Sequence, residues 1–321
     1  MPSYAAFLGN QPRLSLAEIA AILPDFSLRA LVGKQVALFS TTKPIDPSTF
    51  PSWGGTVVLA EEIGGATELG DVPGALADAT EKVKGKVTFA IRTFGVPKQA
   101  VHDLYRTCKK ELKKRGLSSR YVGNERAPAA TVLLRDAGLL DGSGGAEIVA
   151  VIDEKTTWIG RTVAAQDPDA YTKRDMEKPV RDTRTGLLPP KLAQMLLNLG
   201  ASLVPAPKGK PRASLTVLDP FCGTGVIPIE CLVRGWHVLA SDKSEKAVAG
   251  CTKNLEWIRK EAKIKKTEVK STVWKQDALK PFVLKEAPDL IVSETTLGPP
   301  LSDRPTVKDA QKMRSEAEKL E

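Results

Sequence analysis

Leu215-Thr-Val-Leu-Asp-Pro-Phe-Cys-Gly-Thr-Gly-Val-Ile-Pro-Ile-Glu230 is the stretch whose reading decides the fold. Leu215 to Leu218 read as an apolar strand that ends on Asp219, and Gly223-Thr-Gly225 then opens a helix running through Ile229 and Leu232. Two glycines at a strand-to-helix turn let backbone approach a ligand closely at a helix N-terminus. A lone Gly-x-Gly identifies nothing, so its surroundings matter. The next strand, Trp236-His-Val-Leu-Ala-Ser-Asp242, again ends on an acid. Beyond the third strand region, Val273-Trp-Lys-Gln-Asp-Ala278 places another, Asp277. Strand and helix alternate from here on, the signature of a parallel, doubly wound sheet.

The chemistry of these acids narrows the ligand. A dinucleotide site needs G-x-G-x-x-G so that pyrophosphate can rest on the helix N-terminus. Pro228 stands at the third glycine position, which argues against a nucleotide-binding oxidoreductase. S-Adenosylmethionine carries no phosphate and calls for carboxylates instead. Asp219 suits its aminoacyl ammonium, and the loop residues Phe221, Gly223 and Gly225 pack against sulfonium and ribose. Asp242 can take both ribose hydroxyls in a bidentate bond, and Asp277 can accept from the adenine amino group. Lys243 and Ala278, beside these acids, complete the expected cofactor-binding set.

The chain has 321 residues, comfortable for two domains. Its 42% hydrophobic and 26% charged residues are ordinary for a globular protein, but the net charge of +9 is not. Such an excess suits a polyanionic partner, most simply RNA or DNA. Four cysteines (Cys108, Cys222, Cys231, Cys251) lack CxxC spacing and there are two histidines, so neither a metal centre nor a disulfide framework is expected. No apolar run approaches the ~20 residues that span a bilayer, and no signal peptide opens the chain. The expectation is a reduced, cytoplasmic protein with no metal and no membrane association; the oligomeric state is open.

In the N-terminal half, Tyr4 to Leu8 reads as a strand and Gly9 to Pro12 as a turn. Ser15 with Glu18 forms an expected capping box for a helix that buries Leu16, Ile19, Ala20 and Leu23. Strands follow at Val36 to Phe39, Val57 to Ala60, Val87 to Ile91 and Ala146 to Ile152, with Lys43 to Gly55 a loop or subdomain joint. A helix from Pro97 to Arg115 lines one face with Val101, Leu104, Tyr105, Cys108 and Leu112 and stops at Gly116. Its other face holds Arg106, Lys109, Lys110, Lys113, Lys114 and Arg115. A solvated charged face is one reading; beside the global basic excess, the expectation is a phosphate-facing surface. The polar, turn-rich segment from Ala165 to Gly186 places a domain boundary, and a proline-started helix runs from Leu188 to Leu199.

Asp219-Pro-Phe-Cys-Gly-Thr-Gly225 is similar to the first motif of the Rossmann-like amino-methyltransferases that act on nucleic acid. Tyr171-Thr-Lys-Arg-Asp-Met-Glu-Lys-Pro-Val-Arg-Asp-Thr-Arg-Thr-Gly-Leu-Leu-Pro-Pro-Lys-Leu-Ala-Gln194 resembles the segment joining the THUMP and methyltransferase domains in tRNA guanine-N2-methyltransferases of the guanosine-10 type. Phe7-Leu-Gly-Asn-Gln-Pro-Arg-Leu-Ser-Leu-Ala-Glu18 resembles that family's start. The resemblance implies an α/β, Rossmann-like class I methyltransferase domain over residues 166–321. It implies a ferredoxin-like subdomain over 1–55 and a THUMP-like RNA-binding domain over 56–165. It also implies tRNA as partner, with which the basic helix face is compatible; Lys109, Lys110, Lys113, Lys114 and Arg174 are the expected substrate-binding residues. Arg174 and Asp175 either help close the cofactor pocket or form a structural ion pair.

Two departures from that family stand out. Its members usually carry Asp-Pro-Pro-Tyr-Gly after the fourth strand, where a carboxylate and a rigid carbonyl accept from the exocyclic N–H groups of guanine and an aromatic ring stacks on the base. Here Glu294-Thr-Thr-Leu-Gly298 occupies the place. Glu294 is the expected catalytic carboxylate, and no aromatic follows it. Only 23 residues come after Gly298, against about three further strands in a complete fold, so the expectation is a fold truncated after its fourth strand. Two functions are therefore weighed: a tRNA guanine-N2-methyltransferase, and a THUMP-type tRNA-binding protein with an impaired catalytic half. Trp236, Trp257 and Cys222 are read as packing residues, and His237 is given no catalytic role.

Overall fold

A computed structural model describes residues 1–123, 128–153, 157–182, 188–205, 215–295 and 306–318. The chain forms two compact units, Met1–Asp169 and Ala170–Glu321.

The first unit is built on a mixed sheet. Its strands are β1 (Ser3–Leu8), β2 (Ser27–Val32), β3 (Val36–Ser40), β4 (Thr56–Glu62), β5 (Val87–Phe94), β6 (Ser119–Tyr121), β7 (Gly145–Ile152) and β8 (Thr157–Ala165). They lie in the order β2-β3-β1-β4-β8-β7-β5-β6, and the sheet runs unbroken across Lys43–Gly55 because β3 and β4 both pair with β1. The helices are α1 (Pro12–Ile22), α2 (Val72–Ala79), α3 (Lys98–Lys114) and α4 (Thr131–Asp136).

The expected capping box of α1 gives way to a different arrangement. The helix starts at Pro12 with Gln11 as its cap, four residues earlier than the box requires. Glu18, wholly buried, accepts instead from the Gly54 and Gly55 amides at 2.8 and 2.7 Å and pins the approach to β4. Ser15, Glu18 and Ile19, at i, i+3 and i+4, form the inward face that carries Glu18 to these amides, and Ala20, one residue on, faces solvent. In α3 the expected stripe holds: Leu104, Cys108 and Leu112 are buried against Phe89 and Ile148.

The second unit carries α5 (Pro168–Met176, entering from the first unit), α6 (Pro190–Leu203), β9 (Thr216–Asp219), α7 (Val226–Val233), β10 (His237–Asp242), α8 (Glu245–Glu261), β11 (Ser271–Lys275), β12 (Leu290–Ile291) and α9 (Val307–Ala317). Every strand pairing is parallel and the order is β11-β10-β9-β12, a Rossmann-like sheet with its first strand at the centre. Val217, Val238 and Ala240 from the sheet pack against Leu197 of α6, Ile227 and Ile229 of α7, and Leu255 and Ile258 of α8. Parallel pairing sends all four strand ends to one edge, with Asp219 level with Ala240 and Asp242 level with Lys275. That edge, at the switch between neighbours of β9, is where open α/β sheets receive ligands.

Candidate cofactor site

Sharp turns of the glycine loop set the geometry. Gly225 caps α7 with φ +90°, and a Cβ there would lie 2.6 Å from the Cys251 Sγ of α8. Glycine at 225 is thus required both by conformation and by helix packing. Gly223, at φ +49°, differs: a Cβ there meets nothing within 4 Å. Its face opens outward, leaving room for a ligand to approach the backbone. Among the bonds that hold the loop are Cys222 N–H to Ser241 O at 2.9 Å, Gly223 N–H to Asp242 Oδ2 at 3.0 Å and Gly225 N–H to Cys222 O at 2.7 Å.

Asp219 is 2% exposed. Its Oδ1 accepts from the Ser293 hydroxyl at 2.6 Å and the Phe221 amide at 3.2 Å. Neither bond uses Oδ2. Burial pushes its carboxyl up to about 7, against the lowering by these two bonds, and the charges of Asp242 and Glu294 push the same way. Among the described residues no cation pairs with this carboxyl, and an ammonium group would suit it. Asp242, half-buried, accepts from Gly223 N–H through Oδ2 and from Ser244 N–H at 2.9 Å through Oδ1. Each carboxylate oxygen has a second lone pair left for a hydroxyl.

Beyond β11, the Gln276 amide donates to Asp242 O at 3.0 Å. Asp277 Oδ1 accepts from Leu279 N–H at 3.1 Å, forming a turn in which Asp277 and Ala278 stay half-buried. Lys243 is exposed beside Asp242, and Phe221 is half-buried in the loop. After β12, the Val292 amide continues the pairing to Leu218 O at 3.0 Å and leads to Ser293 and the half-buried Glu294. Thr296, Leu297 and Gly298 lie outside the described residues.

One edge thus gathers Asp219, Phe221, Gly223, Asp242, Lys243, Asp277, Ala278 and Glu294. Arg174 has a different place. Its Nε sits 2.7 Å from Oε1 of the wholly buried Glu230, and its guanidinium stacks 4.9 Å above the Tyr171 ring. Gln194 donates through Nε2 to the other Glu230 oxygen at 2.9 Å and accepts through Oε1 from the Tyr171 hydroxyl at 2.7 Å. With its side chain 11% exposed, Arg174 is the partner that neutralises a buried acid, the ion-pair reading of this residue. Lys109, Lys110, Lys113 and Lys114 belong to the first unit, all exposed on α3 together with Arg106 and Arg115. Arg115 is bonded to Asp78 and Glu111, and Lys109 Nζ lies 3.1 Å from the Tyr105 hydroxyl.

Sequence reading missed Ser293, Glu230 and Asn254. A signal existed for Asn254: it stands between Cys251, Leu255 and Ile258 on the buried stripe of α8, and a polar residue there needs partners.

Parallel order, glycine loop and strand-end acids define a Rossmann-like α/β domain. A family model described as Conserved hypothetical protein 95 matches residues 209–310, the stretch that carries this site. The tRNA (guanine(10)-N2)-dimethyltransferase of Methanothermobacter thermautotrophicus is 37% identical over 71 residues. Those residues are 22% of this chain and 18% of that protein's length. Among solved structures, TrmN from Thermus thermophilus is similar with a TM-score of 0.46 and 17% identity, covering 87% of this chain and 74% of that one. A possible methylase from Clostridium difficile 630 has a TM-score of 0.46 and 13% identity over 99% of this chain and 85% of its own. At these scores the fold is read from the sheet order itself.

Proposed function

We propose that this chain is an S-adenosylmethionine-dependent methyltransferase acting on the exocyclic N2 of a guanine in tRNA. The observation that carries the reading is the buried Asp219 at the end of β9 beside an open glycine loop, in a chain of which 71 residues are 37% identical to a tRNA (guanine(10)-N2)-dimethyltransferase. The cofactor supplies an electrophilic methyl group on sulfonium sulfur. Asp219 binds its ammonium, Asp242 its ribose hydroxyls and Asp277, with Ala278, its adenine edge; Phe221, Gly223 and Gly225 form the wall and Lys243 the rim. Glu294 accepts from the guanine amine and orients nitrogen whose lone pair is otherwise delocalised into the ring. The basic face of α3 receives tRNA phosphates. Residues 1–55 serve as a ferredoxin-like subdomain and 56–165 as a THUMP-like RNA-binding domain, and the protein works in the cytoplasm.

The test is transfer of labelled methyl from S-adenosylmethionine to unmodified tRNA, followed by nucleoside analysis. Label in N2-methylguanosine or its dimethyl form is expected, and Glu294→Gln should lower kcat without changing cofactor affinity. Retained binding of both ligands with no transfer would overturn the enzyme reading in favour of a tRNA-binding protein. Unchanged cofactor affinity in Asp242→Ala would overturn the assignment of the site.

A further inference from the structure

Asn254 makes one carboxamide serve two segments. Its Oδ1 accepts from the Val180 amide at 2.9 Å, and its Nδ2 donates to the Val180 carbonyl at 2.8 Å, so both sides of one residue are bracketed. The second Nδ2 hydrogen goes to the Thr224 carbonyl in the glycine loop, also at 2.8 Å. Asn254 itself is completely buried. A side chain of this type, placed in an apolar stripe, gains its worth only when its donors and acceptor are matched.

The neighbouring residues of α8 tighten the same junction. Gly250, one turn earlier, lies where a Cβ would stand 3.0 Å from Val180 Cγ1 and 3.5 Å from Thr224 Cγ2. Cys251 lies against Gly225. Positions 250, 251 and 254 share one face of a helix, and that face touches the glycine loop and residue 180 together.

We infer that Asn254 is a positioning residue for the cofactor site: it locks the segment around Val180 to the glycine loop, so that ordering of one orders the other. This rests on the cofactor reading proposed above. Asn254 touches no reacting atom in this scheme. It fixes the Thr224 carbonyl, and with it the turn that presents the Gly223 face.

Hydrogen exchange on the full chain tests the coupling without any substitution. S-Adenosylmethionine should slow exchange both in the glycine loop and at Val180. Protection confined to the loop would overturn the inference and leave the cofactor reading standing. Asn254→Asp keeps an acceptor for Val180 N–H but loses both donors; it should weaken cofactor binding about tenfold or more, while kcat at saturating cofactor stays within a few-fold of the parent. Gly250→Ala keeps all three bonds and displaces Val180 by a few tenths of an ångström, and about a threefold weakening is expected. If Asn254→Asp does not fold, this second variant and the exchange data decide. Parent-like affinity in whichever variants fold overturns the positioning role. Absence of cofactor binding by the unaltered protein overturns the cofactor reading, and the inference with it.

Discussion

Asp219 holds two hydrogen bonds yet titrates near neutrality, because burial outweighs them and Asp242 and Glu294 add repulsion. An unfolded aspartate titrates near about 3.9, so the folded value is raised. The protonated form therefore favours the fold: this contribution is complete below about pH 4 and is lost as pH rises to about 7. Melting temperature, measured from pH 4 to 7 in the ligand-free protein, should carry that decline, and Asp219→Asn should remove it. Cofactor binding reverses the preference, since an ammonium group favours the carboxylate. Between pH 5 and 6 binding should release close to one proton, and affinity should rise about tenfold per pH unit over that range. Calorimetry in buffers of different ionisation enthalpy reads the proton directly; a flat affinity over that range would sink the role given to Asp219. Cys222, in the same loop, behaves oppositely to a nucleophile. Its contact with Cys251, then its burial, push the thiol up. Iodoacetamide at pH 8 should leave it unmodified until the protein unfolds, and rapid labelling of the folded chain would contradict its buried place.

At the scale of the element, the glycine loop separates two kinds of glycine that look alike in sequence. Gly225→Ala forces a left-handed conformation and a clash with Cys251, so it should destabilise the fold by about 2–4 kcal/mol and abolish binding together. Gly223→Ala meets open space and carries only the backbone cost, about 1 kcal/mol, yet should lose most cofactor affinity because its methyl occupies the ligand's approach. Denaturation midpoints against binding constants separate the two; equal losses in both quantities for Gly223→Ala would remove the ligand from that face. The strand-end acids and this loop were legible in the sequence because local periodicity places them. What joins them was not. Ser293 meets Asp219, and Asn254 meets Val180, across 74 residues each, and no local pattern records such a meeting. Glu18 shows how a local pattern misleads: its spacing from Ser15 matches a cap, while its real partners are amides 36 and 37 residues away. The edge strand β2, largely exposed along its length, offers none of the alternation that reveals a half-buried strand.

For the whole molecule, the excess of nine positive charges has its clearest concentration on α3, and its strength as a tRNA contact depends on how much is already neutralised. Arg115 is engaged by Asp78 and Glu111, and Lys114 lies 3.9 Å from Glu111 with its side chain 80% exposed, an arrangement that contributes little in water. Lys109 rests over the Tyr105 ring at 5.3 Å, which keeps its charge available while restricting its motion. Lys110 and Lys113 are exposed on the same face. Each lysine that meets a phosphate releases about one counterion, so the salt dependence of tRNA binding counts the contacts. Replacing Lys109, Lys110, Lys113 and Lys114 with Ala should reduce the slope of log K against log salt by about 3–4 and weaken tRNA binding at least tenfold at 100 mM salt. Cofactor affinity should stay unchanged, because these residues belong to the first unit and Asp219, Asp242 and the glycine loop to the second. Fluorescence anisotropy of labelled tRNA between 50 and 200 mM salt measures the slope. The parent slope in the fourfold variant would mean that α3 is only a solvated face, and the positive charge that draws in tRNA would have to lie elsewhere on the chain.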